Sequence, residues 1–433
     1  LKQIKQDHPK GTAFQSCKST LTFYFVFNIL DFLHKKNYLY IMATEMESYT
    51  PEDPTKFKPA FQEKPERKAL SVGTVGLDSF WRVSKAVFDK LGNRGIKEGA
   101  KVPQQELKTY LEPEDLKEKI TEGVGGNAGN MAASFAEQLP TELYTFLGND
   151  EKKSQILDSL DQHGVKVIGS LNEPVINSSS IILVPENGGN RIIGSEHPEA
   201  HEEQHFNYEG KEPAVMILST VQEPWKDVYR EVGEYAKSHD TSLATSPGSV
   251  QFRSLKKALG ENPSENVLEE VKELYHTIEA SKILLVNKEE GEQLLQGAKK
   301  HVPETVEELM LALKGLGPEI ISLTDGENGS YAVDGHDGIY RLRPFEVETV
   351  VDTTGAGDSF TGGFLGKHFT DPDGYDDIPE CMKYGAVNAA SVVEHIGAQT
   401  GILSKRAIEE KLTLHPDYQV EILREPHLPT LSQ

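Results

Sequence analysis

From Ala69 onward, short apolar runs rich in β-branched residues alternate with stretches whose apolar positions recur at helical spacing. The runs are ALSVGTVGL (69–77), LYTFLG (143–148), VKVIGS (165–170), AVMILST (214–220), SKILLVN (281–287) and PEIISLT (318–324). Amphipathic stretches lie between several of them, notably 266–280 and 303–316. Runs that are apolar throughout suit strands buried on both faces. Their alternation with amphipathic helices predicts a parallel sheet with helices on both sides. Such sheets gather ligands at the carboxyl ends of their strands. One segment differs. SSSIILVPENGGNRIIG (178–194) is two β-rich runs around Asn-Gly-Gly-Asn, a hairpin signal. It predicts a small β lid over the main sheet, with 79–122 supplying the rest.

The chain has 433 residues, 37% of them hydrophobic, enough to bury a large core in one big α/β domain or two smaller ones. Its net charge of −23 repels nucleic-acid phosphate and anionic lipid, so neither nucleic acid nor a membrane is an expected partner. Two cysteines, Cys17 and Cys381, give no basis for a disulfide framework or a thiolate metal site and fit a reducing cytoplasm. The first forty residues stand apart: six lysines and two aspartates make them +4, against −27 for the remainder. Within them, LTFYFVFNILDFL (21–33) is interrupted by Asn28 and Asp31 and falls short of the ~20 apolar residues of a membrane helix. No small-residue cleavage site follows. Met42 is therefore the expected start, with 1–41 a non-native leader and 42–68 a polar tail.

The strongest chemical signal is DTTGAGDSF (352–360). The run 347–351 reads as a strand and Ser359 onward as a helix. Glycines between strand and helix let backbone N–H groups converge on an anion, and the helix start adds partial positive charge. Gly355, Ala356 and Gly357 can thus hold phosphate. The turn is not a Walker loop, because no Gly-Lys-Ser/Thr follows, and Phe360 stands where a dinucleotide fingerprint needs its third glycine. Asp358 at the helix start is either a proton acceptor for an alcohol or a helix cap, and this stretch alone leaves both open.

With these residues the sequence resembles the ribokinase (PfkB-type) carbohydrate kinases, whose C-terminal signature is similar to DTTGAGDSFTGGF (352–364). The resemblance runs in order over most of 70–400. It implies a ribokinase-like three-layer α/β/α fold, with a mainly parallel central sheet and a small β lid formed approximately within 79–124 and 176–195. The domain would occupy 69–425, with 426–433 a C-terminal tail. It implies ATP-dependent phosphorylation of a sugar or nucleoside hydroxyl, with Asp358 as base and Gly355–Gly357 as anion hole.

Weaker motifs take meaning from the same resemblance. In GVGGNAGNMAASFAEQL (123–139), Gly125 and Gly126 allow close backbone approach, and Asn127 and Asn130 can bond hydroxyls; the family's substrate motif is similar. Asp78, read at the end of the strand in GTVGLDSF (73–80), matches a substrate-binding aspartate. Asn287 and Glu290 sit three apart at a helix start and match the pair that organises Mg2+ through water. Thr324, Gly326 and Gly329 in SLTDGENGSYAV (322–333), and Asn388 and Gly397 in AVNAASVVEHIGAQTGI (386–402), match positions near ATP. Asp352 and Thr354 match positions that in some members bind a monovalent cation such as K+. A monomer or a homodimer through the lid is expected. The long stretch between Asp78 and Gly125 looks like the adenosine-kinase branch, whereas TSPGSVQF (245–252) resembles generic sugar kinases, so the acceptor stays open between the two. His197, His201 and His205 have the spacing of a helical metal face, but Pro198 and the surrounding acids read as an exposed loop.

Overall fold

The first apolar run divides at Gly73. Its front half is strand β1 (Ala69–Val72), and its back half opens β2 (Gly76–Val83), which belongs to a different sheet. The chain turns where packing is tightest: a Cβ on Gly73 would lie 2.7 Å from both Ser219 Oγ and Thr220 O. Asp78 therefore lies inside a strand of the second sheet, not at the end of a main-sheet strand as its sequence context predicts.

The structure, a computed structural model, describes residues 68–173, 176–186, 191–196, 204–370 and 377–427. In chain order the remaining strands are β3 (Lys101–Pro103), β4 (Glu118–Gly125), β5 (Thr141–Gly148), β6 (Val165–Glu173), β7 (Ser178–Pro185), β8 (Ile192–Glu196), β9 (Val215–Leu218), β10 (Ser242–Thr245), β11 (Ile283–Asn287), β12 (Ile320–Thr324), β13 (Ser330–Val333), β14 (Ile339–Leu342) and β15 (Glu421–Arg424). The helices are α1 (Lys85–Gly92), α2 (Gln104–Tyr110), α3 (Asn127–Ala136), α4 (Lys152–Gln162), α5 (Lys226–Ser238), α6 (Ser249–Ala258), α7 (Glu265–Ala280), α8 (Lys288–Gly297), α9 (Val306–Lys314), α10 (Ala356–Thr370), α11 (Ile378–Val393) and α12 (Lys405–Leu414).

Among the described residues the larger sheet has the order β6-β5-β1-β9-β10-β11-β12-β13-β14-β15. It is parallel from β6 to β12 and antiparallel beyond. Its central strands, such as β9 and β11, are apolar because both their faces are covered. Met216 and Leu218 of β9 join a core with α5 to α9, while Val215 and Ile217 join a second core with α3, α10, α11 and α12. Leu284 and Val286 against Ile283 and Leu285 repeat the alternation in β11. The result is three layers, α/β/α.

The smaller sheet has the order β3-β8-β7-β2-β4. The expected hairpin is there as antiparallel β7 and β8; its turn, 187–190, lies outside the described residues, as do 1–67, 428–433, His197 and His201. His205 bonds Glu231 Oε1 through Nδ1 at 2.8 Å. No described helix is long and apolar enough to cross a membrane.

Two local expectations need correction. The run 347–351 is not a strand, because β15 takes the place beside β14 that it would need. It passes instead along the end of α11, where Val351 N–H bonds Val393 O at 2.8 Å, and Val350 and Val351 are exposed. Helix α10 begins at Ala356, three residues before Ser359, so Asp358 is in its first turn. Gly362 and Gly363 do not break it. A Cβ on Gly362 would lie 2.1 Å from Ser134 Oγ and one on Gly363 2.8 Å from Tyr384 O, so both glycines let α10 press against α3 and α11.

Candidate active site

The carboxyl ends of β1, β9, β10, β11 and β12 stand in a row. A cavity of ≈ 840 Å³ runs along them beneath the smaller sheet. The strand ends supply Thr74, then Thr220 and Gln222, then Ser246 and Pro247, then Asn287 and Glu290, then Thr324. The start of α10 and the start of α3 bring Gly355, Gly357, Asp358, Gly126, Asn127 and Asn130 to the same space. The smaller sheet adds Asp78, Lys101 and Arg191.

Asp358 is buried, and both its oxygens are bonded: Oδ1 accepts from Asn127 Nδ2 at 2.9 Å and Oδ2 from Asn130 Nδ2 at 2.8 Å. Outer groups hold the two amides. Asn127 Oδ1 accepts from Thr220 Oγ1 at 3.1 Å, and Asn130 Oδ1 from Gln399 Nε2 at 3.2 Å. The carboxylate thus spends its bonds on side chains of α3, not on the backbone of α10 as a cap would. Burial raises its pKa, against the pull of the two asparagines and Lys101. Among the described residues no backbone group takes the N–H of Gly355, Gly357 or Asp358. These are the unpaired donors of a helix start, and they suit an anion.

Asp78 lies against the end of β4 because Gly125 has no side chain: a Cβ there would lie 2.0 Å from Asp78 Oδ2. Its pKa is pushed up to about 6 by burial, with Asp352 and Asp358 adding repulsion and a hydrogen bond from Ser180 opposing. Asn287 and Glu290 form a reciprocal capping box at the start of α8, Glu290 N–H to Asn287 Oδ1 and Asn287 N–H to Glu290 Oε2, each 2.9 Å. Their spacing therefore has a local cause. Their place on the cavity wall is a separate fact, and the chemistry there suits a cation. Enclosure by protein pushes the partly accessible Glu290 up to about 6, and Asp358 and Glu289 add repulsion that a divalent ion would relieve.

Folding thus raises the pKa of Asp78 and Glu290 above their ordinary values. The stability tied to their protons is complete below about pH 4 and is lost as pH rises through about 6. Asp78→Asn should therefore raise the melting temperature of the nucleotide-free protein more at pH 7.5 than at pH 4.5. Equal shifts at the two pH values would show that the buried charge is not the cause.

Of the other sequence-predicted positions, Thr354 lines the cavity, and Asn388, Gly326, Gly329, Gly397, Ala356 and Asp352 do not. Asn388 is fully buried, and its side chain is spent internally: Nδ2 donates to Ser134 Oγ and Ser359 O, and Oδ1 accepts from Leu403 N–H. It braces α11 against α3 and α10. Gly329 is required by packing, since its Cβ would lie 2.1 Å from Leu342 O. Gly326 has φ +52° and open space around it. Gly397 donates its N–H to Asp352 Oδ2 at 3.0 Å. Asp352 is buried, and both it and Thr354 are bonded by the guanidinium of Arg191. Sequence reading missed Arg191 and Lys101. The one available signal was a positive residue just after a hairpin turn in a strongly acidic chain.

The layered sheet with its second sheet above the strand ends is the ribokinase-like α/β fold. Its solved neighbours include an adenosine kinase from Sinorhizobium meliloti (TM-score 0.61, 22% identity, covering 80% of this chain and 99% of that one). Another is Arabidopsis thaliana ribokinase complexed with ribose and ATP (TM-score 0.57, 18% identity, 80% and 98%). The family model described as pfkB family carbohydrate kinase matches residues 100–406, and the chain belongs to that family. Among curated relatives, a nucleoside kinase of Methanocaldococcus jannaschii is 28% identical over 179 residues. The match spans 40% of this chain and 55% of that relative's length.

Proposed function

We propose that this protein is a kinase that moves the γ-phosphoryl group of ATP to a hydroxyl of a sugar or nucleoside. The observation that carries the reading is Asp358, buried and gripped by two amides beside unpaired N–H groups. An alcohol is a poor nucleophile at neutral pH, and its proton must leave as the phosphoryl group arrives. Asn127 and Asn130 fix the carboxylate but use only one acceptor site on each oxygen, which leaves room for the proton. The N–H groups of Gly355 and Gly357 face the charge that builds on the transferring group. Asp78, Asn127 and Gln222 sit at the β1 and β9 end of the cavity and would bond the acceptor's hydroxyls. The nucleotide would lie toward β11 and β12, near Thr324. The smaller sheet is read as the lid that keeps out water.

Asn287 and Glu290 would hold Mg2+ through water, and the bound ion would neutralise charge on the phosphates. Glu290→Gln should keep its fold, since glutamine also completes a capping box. It should raise the magnesium concentration needed for half-maximal turnover; an unchanged titration removes Glu290 from that role.

The decisive experiment is ADP release from ATP, measured against a panel of free sugars and nucleosides. Acceptor-dependent release supports the reading and names the substrate. ATP binding without turnover on any acceptor would mark a silent binding module instead.

A further inference from the structure

Arg191 enters the cavity from the smaller sheet, one residue before β8. Its guanidinium meets three consecutive residues at the head of α10. Nη1 pairs with Asp352 Oδ1 and donates to Thr354 Oγ1, and Nη2 donates to Thr353 Oγ1 at 3.3 Å. Both charged side chains are shielded, Arg191 at 10% exposure and Asp352 at 1%. Asp352 in turn ties down its own surroundings. Its Oδ1 accepts from Thr354 N–H at 2.6 Å and its Oδ2 from Gly397 N–H at 3.0 Å. Gly355, the next residue, has φ +78° and packs so closely on Ala398 that a Cβ would lie 2.6 Å from its carbonyl oxygen. The turn's shape therefore depends on Asp352, while the turn's use requires that Asp352 not repel an anion. A shielded carboxylate meets both demands only if a cation stays with it.

We propose that Arg191 is a positioning residue that neutralises Asp352 and so completes the anion site at 355–357. Arg191 belongs to one sheet and Asp352 to the loop before α10, so the site is complete only when the smaller sheet lies over the larger one. The inference rests on the phosphoryl-transfer reading for the identity of the anion. The pairing itself does not depend on that reading.

The test uses the full chain and the non-hydrolysable analogue AMPPCP with Mg2+, followed by calorimetry. Arg191→Ala should weaken binding by roughly 10²-fold. Guanidinium ion, far below denaturing concentration, should restore much of the loss, and urea should not. Parental affinity in the variant, or a loss that guanidinium leaves untouched, overturns the proposal. Should Arg191→Ala fail to fold, Arg191→Lys replaces it. Lysine keeps the charge without the planar fork, so intermediate affinity is expected, and parental or null response to the change overturns the fork's role. Melting of nucleotide-free Arg191→Gln, Asp352→Asn and the double variant tests the pairing separately. The double variant should melt above the sum of the single losses, and simple additivity sinks the proposal. Failure of the parent to bind AMPPCP would instead refute the kinase reading, with the melting cycle still deciding the pairing.

Discussion

Asp358→Asn is expected to lower phosphotransfer by about two to four orders of magnitude. Two effects on the fold oppose each other. The variant removes a buried acid whose ionised form is disfavoured by its surroundings, which stabilises at neutral pH. It also places an amide between two amide donors, Asn127 Nδ2 and Asn130 Nδ2, so one of those two partners must flip. A flip of Asn127 would disturb its bond with Thr220, and one of Asn130 its bond with Gln399. The melting temperature should thus move little while turnover collapses. Helix capping predicts unchanged turnover, since asparagine caps as well as aspartate. Turnover near the parental value, measured on the acceptor that the panel selects, would remove Asp358 from the chemistry.

The two glycines of the turn should separate stability from activity. Gly355 has φ +78°, and its Cβ would meet Ala398 O, Cα and Cβ at 2.6 to 2.7 Å. Gly355→Ala is expected to lose stability, with roughly 1–2 kcal/mol from the left-handed backbone alone. It should also lose turnover by about 10²-fold or more as the donors shift. A Cβ on Gly357 meets nothing within 4 Å. Gly357→Ala should be as stable as the parent or gain about 0.5–1 kcal/mol, as alanine does inside a helix. Its turnover should still fall, because the new methyl group stands in the cavity. Two variants with the same rank order in melting and in turnover would show that the turn serves the fold alone.

Much of this arrangement was legible in the sequence because its parts are local. A strand buried on both faces leaves a run such as ILLVN, and a glycine turn at a helix start leaves GAG. What is not legible is whatever depends on a distant neighbour. The run 347–351 has strand composition, but the place beside β14 is taken by β15 from far along the chain. Asn388 sits in a helix of small residues near a motif, yet its partners Ser134, Ser359 and Leu403 come from three other segments. Nothing near Arg191 announces Asp352, 161 positions away. Asp78 reads in the sequence as the end of a main-sheet strand, but the turn at Gly73 moves it from one sheet to the other.

That move has a mechanical consequence. Gly76 is in register with both Gly125 and Ser178, so β2 and β7 start, and antiparallel β4 ends, on one line at the base of the smaller sheet. The contacts there are close: a Cβ on Gly76 would lie 2.7 Å from Ser178 O, and one on Gly126 2.7 Å from Thr74 O. A tilt about that line would move each residue in proportion to its distance from it. Asp78, two residues up β2, rides at a radius of about 7 Å. Arg191 precedes Ile192, which pairs with Leu183, five residues up β7 from Ser178, so Arg191 stands one residue further out; its radius is about 20 Å. For any tilt, the arginine sweeps more than about twice the arc of the aspartate. Any tilt of the smaller sheet would thus disturb the pairing of Arg191 with Asp352 more than it would shift Asp78.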